Sequence, residues 1–123
     1  MSIKLITVSE SNVILRAEGD IVSISGNIEC EKPDKFMTPF FNEVHNEILL
    51  KGMKEIKLDI RKLGFLNSSG IKELVDWINK LNDLNDNEKY VITVLTNPDY
   101  LWQESSITTL GYLNPQFIKR VSI

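Results

Sequence analysis

The segment MKEIKLDI, residues 53–60, alternates between apolar and polar side chains, and this pattern constrains the fold more than any other stretch. Two opposite faces result, with Ile56, Leu58 and Ile60 on one and Lys57, Asp59 and Arg61 on the other. A strand of a parallel sheet that helices cover on both faces would be apolar on both faces. The alternation therefore predicts a sheet that helices cover mainly on one face.

The remaining periodicities predict one element after another along the chain. Strands are predicted at 2–8, 12–19, 21–28, 53–60, 90–96 and 116–123, and helices at 38–51, 70–82 and 97–110. The order β-β-β-α-β-α-β-α-β predicts an α/β fold with a mixed sheet. A length of 123 residues suits one domain, 1–123, with one modest core.

Turn and cap signals set the expected boundaries of these elements. The polar SES at 9–11 predicts a hairpin turn. Thr38-Pro39 and Asn97-Pro98 each place a capping side chain before a proline, which predicts the first residues of two helices.

Composition excludes several classes of function. The net charge is −3 and no basic run is present, so we expect no nucleic-acid partner. No segment approaches the roughly 18 apolar residues of a membrane span, and the first residues lack the features of a signal peptide, so we expect a cytoplasmic protein away from membranes. Cys30 is the one cysteine, which fits a reducing compartment.

The segment LNSSG, residues 66–70, follows the alternating strand and precedes an apolar-striped helix. It lacks the glycine two residues before the serine that a nucleophile elbow requires, and its glycines do not have phosphate-loop spacing. The one histidine, His45, lies off the apolar stripe of its helix and is expected on the surface. One histidine and one cysteine, distant in sequence, supply no metal cluster. We therefore predict neither enzymatic activity, nor a metal site, nor a cofactor.

Two interpretations of the paired serines remain open. Asn67, Ser68 or Ser69 could cap the helix, which is worth about 0.5–2 kcal/mol. A cap needs only one such residue, however, and Gly70 costs about 1 kcal/mol relative to alanine inside a helix. Such a glycine suggests that something approaches the backbone closely. The alternative is that a hydroxyl here is modified.

The aromatic residues receive simpler interpretations. We expect Phe40, Phe41 and Phe65 in the core. Trp77 lies off the stripe of helix 70–82, so part of its ring is expected at the surface, where tryptophan is enriched in binding hot spots. The alternative is a ring that lies flat over the edge of its own domain.

The order of elements, together with LGFLNSSG and the later TTLGYL at 108–113, resembles a STAS domain, the fold of bacterial anti-sigma factor antagonists. In that family a partner kinase phosphorylates the hydroxyl residue before the glycine of Asp-Ser-Ser-Gly or Asp-Ser-Thr-Gly. The resemblance implies phosphorylation of Ser69, with Ser68 as the second choice. It also implies a partner-binding surface made of Asn67, Ser68, Ser69, Gly70, Lys72, Glu73 and Trp77.

The resemblance further implies what the surface binds. When unphosphorylated, the chain would bind a serine kinase that is also an anti-sigma factor, phosphorylation would release it, and a metal-dependent serine phosphatase would reset it. Asn67 replaces the family's aspartate and removes a negative charge that a kinase could read. The alternative is a STAS-fold scaffold or ligand-binding module that is not phosphorylated, with Lys57, Asp59 and Arg61 as its contact face. We expect a monomer or a weak dimer.

Overall fold

The computed structural model describes residues 2–10 and 12–123. Within them the strands are β1 Ile3–Glu10, β2 Val13–Gly19, β3 Ile21–Ile28, β4 Glu55–Asp59, β5 Leu63–Leu66, β6 Val91–Thr96 and β7 Ile118–Ser122. The helices are α1 Asp34–Lys51, α2 Ser68–Asn82 and α3 Leu101–Gly111. The predicted turn at 9–11 includes Ser11, which lies outside the described residues.

The strands form one mixed sheet in the order β1-β2-β3-β4-β6-β7. β1, β2 and β3 are antiparallel neighbours, whereas β3, β4, β6 and β7 run parallel. The α/β class and the mixed sheet are therefore as predicted. The alternation in β4 is also confirmed, because Ile56 and Leu58 are buried while Lys57 and Asp59 remain partly exposed.

All three helices contribute to one continuous apolar core, whose strand residues come from one face of the sheet. Phe40 from α1, Leu74 from α2 and Ile107 from α3 are each buried in it. The opposite face carries charges that pair with one another: Arg16 with Glu18, Lys57 with Asp20 and Arg61 with Asp59. The prediction of helices on one face is thus confirmed.

One strand was not predicted from the sequence. The chain bends after β4, and the four-residue strand β5 then pairs with the far end of β3. The order is therefore β-β-β-α-β-β-α-β-α-β. Phe65, expected in the core, is 49% exposed, whereas Leu63 and Leu66 are both buried. The register of β5 against β3 shifts between Leu63 and Phe65, which interrupts the regular alternation of faces.

The bend between β4 and β5 is held by Gln103, which is fully buried in α3. Its Nε2 donates to the carbonyls of Ile60 at 2.8 Å and Leu63 at 2.9 Å, while its Oε1 accepts from the backbone N–H of Asn97 at 2.8 Å. Gln103 thereby bonds backbone groups at the bend inside the protein, in addition to the turn bond from the N–H of Leu63 to the carbonyl of Ile60 at 3.0 Å.

Both cap-plus-proline predictions are wrong by about one turn. α1 begins at Asp34, so Pro39 lies inside it, and Thr38 donates its hydroxyl to Glu73 instead of capping. The earlier turn also buries Met37 completely. α3 begins only at Leu101, because Asn97 forms a turn in which its Oδ1 accepts from the N–H of Asp99 at 2.9 Å.

Candidate functional site

The paired serines lie where β5 ends and α2 begins, and Asn67 is the residue that caps the helix. Its backbone is extended, with φ −77° and ψ 174°, and its Oδ1 accepts from the N–H of Gly70 at 2.8 Å. Its Nδ2 donates to the carbonyl of Cys30 at 2.8 Å. An aspartate would preserve the cap but could not donate to Cys30, so asparagine has a structural role here that the family's aspartate cannot fill.

Because Asn67 provides the cap, neither serine is needed for it. Ser68 and Ser69 occupy the first two helical positions, and their hydroxyls form no hydrogen bond with any residue in 2–10 or 12–123. Ser68 is exposed and Ser69 is partly exposed. Asn67 therefore makes the predicted helix cap, and modification of a serine hydroxyl stays a prediction.

Gly70 has a packing role. A Cβ at this position would lie 2.5 Å from Cδ1 of Leu66 and 3.0 Å from Cγ2 of Ile28. The close approach that its presence suggested is therefore made by the protein's own core. Gly70 is buried, so its predicted place in a partner-binding surface is corrected: it lets α2 pack tightly against the strands.

Two exposed residues flank the serines. Lys72 pairs with Asp76 at 3.0 Å, and this hydrogen bond, with smaller contributions from Glu73 and Asp34, raises the pKa of the lysine. Phe65 presents an exposed aromatic ring two residues before the Asn67 cap. Sequence reasoning missed Phe65, because a four-residue apolar strand carries too short a pattern to show which side chain faces outward.

The expected exposure of Trp77 is wrong. The residue is 2% exposed, and its ring stacks on Phe41 with 4.8 Å between centroids. Its Nε1 donates to Oη of Tyr90 at 2.8 Å. The region between α1 and α2 can bury an indole off the main apolar stripe because this polar edge finds a partner there.

The expected surface position of His45 is wrong for the same reason. Oη of Tyr90 accepts from Trp77 and also forms a hydrogen bond of 2.7 Å with Nδ1 of His45. Burial, with a smaller effect of Lys80, lowers the pKa of His45, and burial raises the pKa of Tyr90 well above its usual range. These hydrogen bonds connect Trp77 of α2 and His45 of α1 to Tyr90, which directly precedes β6. The polar atoms that form them therefore have partners within the protein.

Glu73 is also more enclosed than the sequence suggested. It is 6% exposed and accepts a hydrogen bond from Thr38. The predicted partner-binding residues therefore separate into two groups. Asn67, Ser68, Ser69 and Lys72 reach the surface, whereas Gly70, Glu73 and Trp77 are buried.

Other classes of site find little support in the described part of the chain. No group of three or more His, Cys, Asp and Glu side chains there could hold a metal ion. None of the helices described is long and apolar enough to cross a membrane.

Comparison with solved structures identifies the fold. The chain is similar to SiaC of Pseudomonas aeruginosa, with a TM-score of 0.75 and 12% identity over 98% of this chain and 100% of that one. It is also similar to an anti-sigma factor antagonist from Mycobacterium paratuberculosis, with a TM-score of 0.50 and 18% identity over 96% of this chain and 86% of that one. The predicted resemblance to anti-sigma factor antagonists is confirmed at the level of the fold.

Comparison of sequences identifies the family. No curated protein sequence matches the chain. The family described as "SiaC family regulatory phosphoprotein" matches residues 6–96, a range that includes the serine pair and ends with β6. That description is of a regulatory protein and not of an enzyme. The chain belongs to the SiaC family of regulatory phosphoproteins.

Proposed function

We propose that this protein is a partner switch controlled by phosphorylation of Ser69. In the unphosphorylated state it binds a regulatory protein, which the resemblance to anti-sigma factor antagonists suggests is a serine kinase that also acts as an anti-sigma factor. Phosphorylation releases that partner, and a metal-dependent serine phosphatase restores the binding state. The observation that carries the proposal is the pair of free hydroxyls at the start of α2, in a chain of a regulatory phosphoprotein family.

The position of the serines explains how a modification could act without unfolding the domain. Free backbone N–H groups and the helix dipole stabilise an anion at this end by about 0.3–1 kcal/mol. A phosphate there adds a charge of roughly −1.5 to −2 to an exposed surface. Placing this charge against a partner's carboxylate costs several kcal/mol, which is enough to reverse binding.

Ser69 is preferred over Ser68 because it is the residue directly before the glycine, as in the resembling family. Ser68 is the more exposed of the two and remains the second choice. Helical spacing gives the two serines different neighbours on α2. Ser69 shares a side of α2 with Lys72 and Glu73, whereas Ser68 lies above Ile71 and Lys72.

Mass spectrometry of the protein purified from its native cells tests the site. We expect one phosphate that maps to Ser69, persists in Ser68→Ala and is absent from Ser69→Ala. A phosphate that persists in Ser69→Ala but is lost in Ser68→Ala would move the site by one residue. A chain without phosphate under stressed and unstressed conditions would favour the scaffold alternative, whose contact face carries charges already paired with one another.

Partner capture tests the switch itself. We expect Ser69→Ala to retain a partner that Ser69→Asp loses, with unchanged circular dichroism in both. Ser105→Asp is the matched control, because it adds the same charge at an exposed serine of α3. Equal capture by Ser69→Asp and Ser105→Asp would contradict a switch at this site.

A further inference from the structure

A cleft of about 290 Å³ lies between α1 and α2, next to the turn that carries the serines. Phe41 and Trp77 form its apolar floor. Its polar lining includes Asn42, Glu73, Asp76 and Lys80. The proposed switch makes no use of this cleft, although Glu73 is only one helical turn beyond Ser69.

The carboxylate of Glu73 is the unusual group in the cleft. The residue is more than nine-tenths buried, and its Oε1 accepts from the hydroxyl of Thr38. Its Oε2 accepts no hydrogen bond from the described residues and stays accessible from the cleft. A carboxylate this enclosed normally has a cationic partner, because burial of a lone charge is costly.

The lysines at the cleft bond to groups other than Glu73. Lys72 pairs with Asp76, one of the lining residues, at 3.0 Å. Lys80 donates to Oδ1 of Asn42. Among the described residues Glu73 therefore has no ion-pair partner of its own, and one accessible oxygen is free to accept one.

The shape and chemistry of the cleft favour an organic cation. Within residues 2–10 and 12–123, Glu73 and Asp76 belong to no group of three candidate metal ligands. An arginine side chain combines a stem that packs on an apolar floor with a planar group that donates to carboxylates in a fork. We propose that this cleft receives a cationic side chain, arginine in preference to lysine, from the protein that binds the serine-bearing end of α2.

The assignment of this cation to a protein partner rests on the proposed function, whereas the cation site itself does not. The two features complement each other, because Ser69 and Glu73 are four residues apart and lie on the same side of α2. A phosphate on Ser69 would offer the partner's arginine a second anion one helical turn from Glu73, so modification would change where that arginine is held.

Nuclear magnetic resonance titration of the full chain tests the site without any kinase or partner. The probe is Nα-acetyl-arginine amide, and the matched control is Nα-acetyl-citrulline amide, which has nearly the same shape but no charge. We expect saturable shifts at Asn42, Glu73 and the Trp77 indole with the arginine probe, and none with citrulline. Shifts of equal size with both probes, or shifts elsewhere on the chain, would overturn the proposal.

Variants localise the effect. Glu73→Gln should weaken binding of the arginine probe about tenfold or more, because it removes a charged hydrogen-bond acceptor. Glu55→Gln, at an exposed carboxylate of β4, makes the same change in net charge and should leave binding unchanged. Unaltered affinity in Glu73→Gln would refute the site. If this variant fails to fold, the comparison of arginine and citrulline on the wild-type chain still decides. Failure here would leave the phosphorylation result of Ser69 standing, and the reverse also holds.

Discussion

The polar groups of helix α2 have opposite environments at its first turn and at its middle. At its first turn the hydroxyls of Ser68 and Ser69 face solvent and form no hydrogen bond with the described residues. At its middle, Trp77 donates to Tyr90, which is also hydrogen-bonded to His45, and all three are buried. Burial explains the difference, because an unpaired polar group is costly only where water cannot reach it. The hydrogen-bonded groups in the interior stabilise the fold, and the free hydroxyls at the surface can bond to water.

Gln103 is a second example of a buried polar side chain, and like Tyr90 it is fully buried. Its amide makes three hydrogen bonds to backbone groups at the bend between β4 and β5. Substitutions of buried, saturated groups should therefore destabilise the protein most, and substitutions near the serines least.

The largest loss of stability is expected from Gln103→Leu. The leucine fills a similar volume but removes three hydrogen bonds to buried backbone groups, although the carbonyl of Ile60 still accepts from the N–H of Leu63. The free energy of unfolding should therefore fall by about 3 kcal/mol. Urea denaturation measures the change. Ser105→Ala, two residues along α3 and exposed, is the control and should stay within about 0.5 kcal/mol of wild type. A loss below 1 kcal/mol in Gln103→Leu would show that water can satisfy the bend.

Tyr90→Phe should have the second largest effect. It removes one hydroxyl and leaves Nε1 of Trp77 and Nδ1 of His45 unpaired, so we expect a loss of about 2 kcal/mol. Thermal or urea denaturation gives the value. Tyr112→Phe removes the same hydroxyl from a residue that is 75% exposed, and it should be nearly neutral. Similar effects at both tyrosines would break the distinction between buried and exposed polar groups.

Asn67 lies between the two regions and should show an intermediate effect. Asn67→Ala loses the cap and the bond to Cys30, so we expect a loss of about 1 kcal/mol or slightly more. Asn67→Asp keeps the cap acceptor and should lose less. Denaturation of both variants separates the two bonds, with Asn79→Ala on the exposed side of α2 as the control. If Asn67→Asp lost as much as Asn67→Ala, the bond to Cys30 would be the more important one.

The smallest effect should appear only as a dependence on pH. The pKa of His45 is lowered below 6.5 in the folded state, so the folded protein binds this proton less readily than the unfolded chain does. The histidine therefore contributes its full stability above pH 6.5 and loses it progressively as the pH falls below that value. Unfolding curves between pH 7.5 and 5 should show this fall in wild type and not in His45→Gln. Parallel curves for the two proteins would contradict a lowered pKa of His45 in the folded state.

The sequence by itself determined the class of fold, the one-sided sheet and the helix start within residues 66–70. Periodicity suffices for these because an alternating strand shows its buried face directly, as in β4, and the striped helix that follows shows its inner face. The asparagine and two serines before the glycine also marked a helix start, and α2 begins there.

Tertiary structure alone decided which polar groups are free. Trp77 and His45 lie off their helical stripes, yet each is buried because Tyr90, distant in sequence, pairs with both. Glu73 is enclosed by Thr38 of another helix. Asn67 and Asn97 each directly follow a strand, but only Asn67 caps the helix that comes next. The backbone N–H of Asn97 instead donates to Gln103, which holds Asn97 in a turn. Each outcome depends on a partner brought close by the fold, and a local pattern carries no information about that partner.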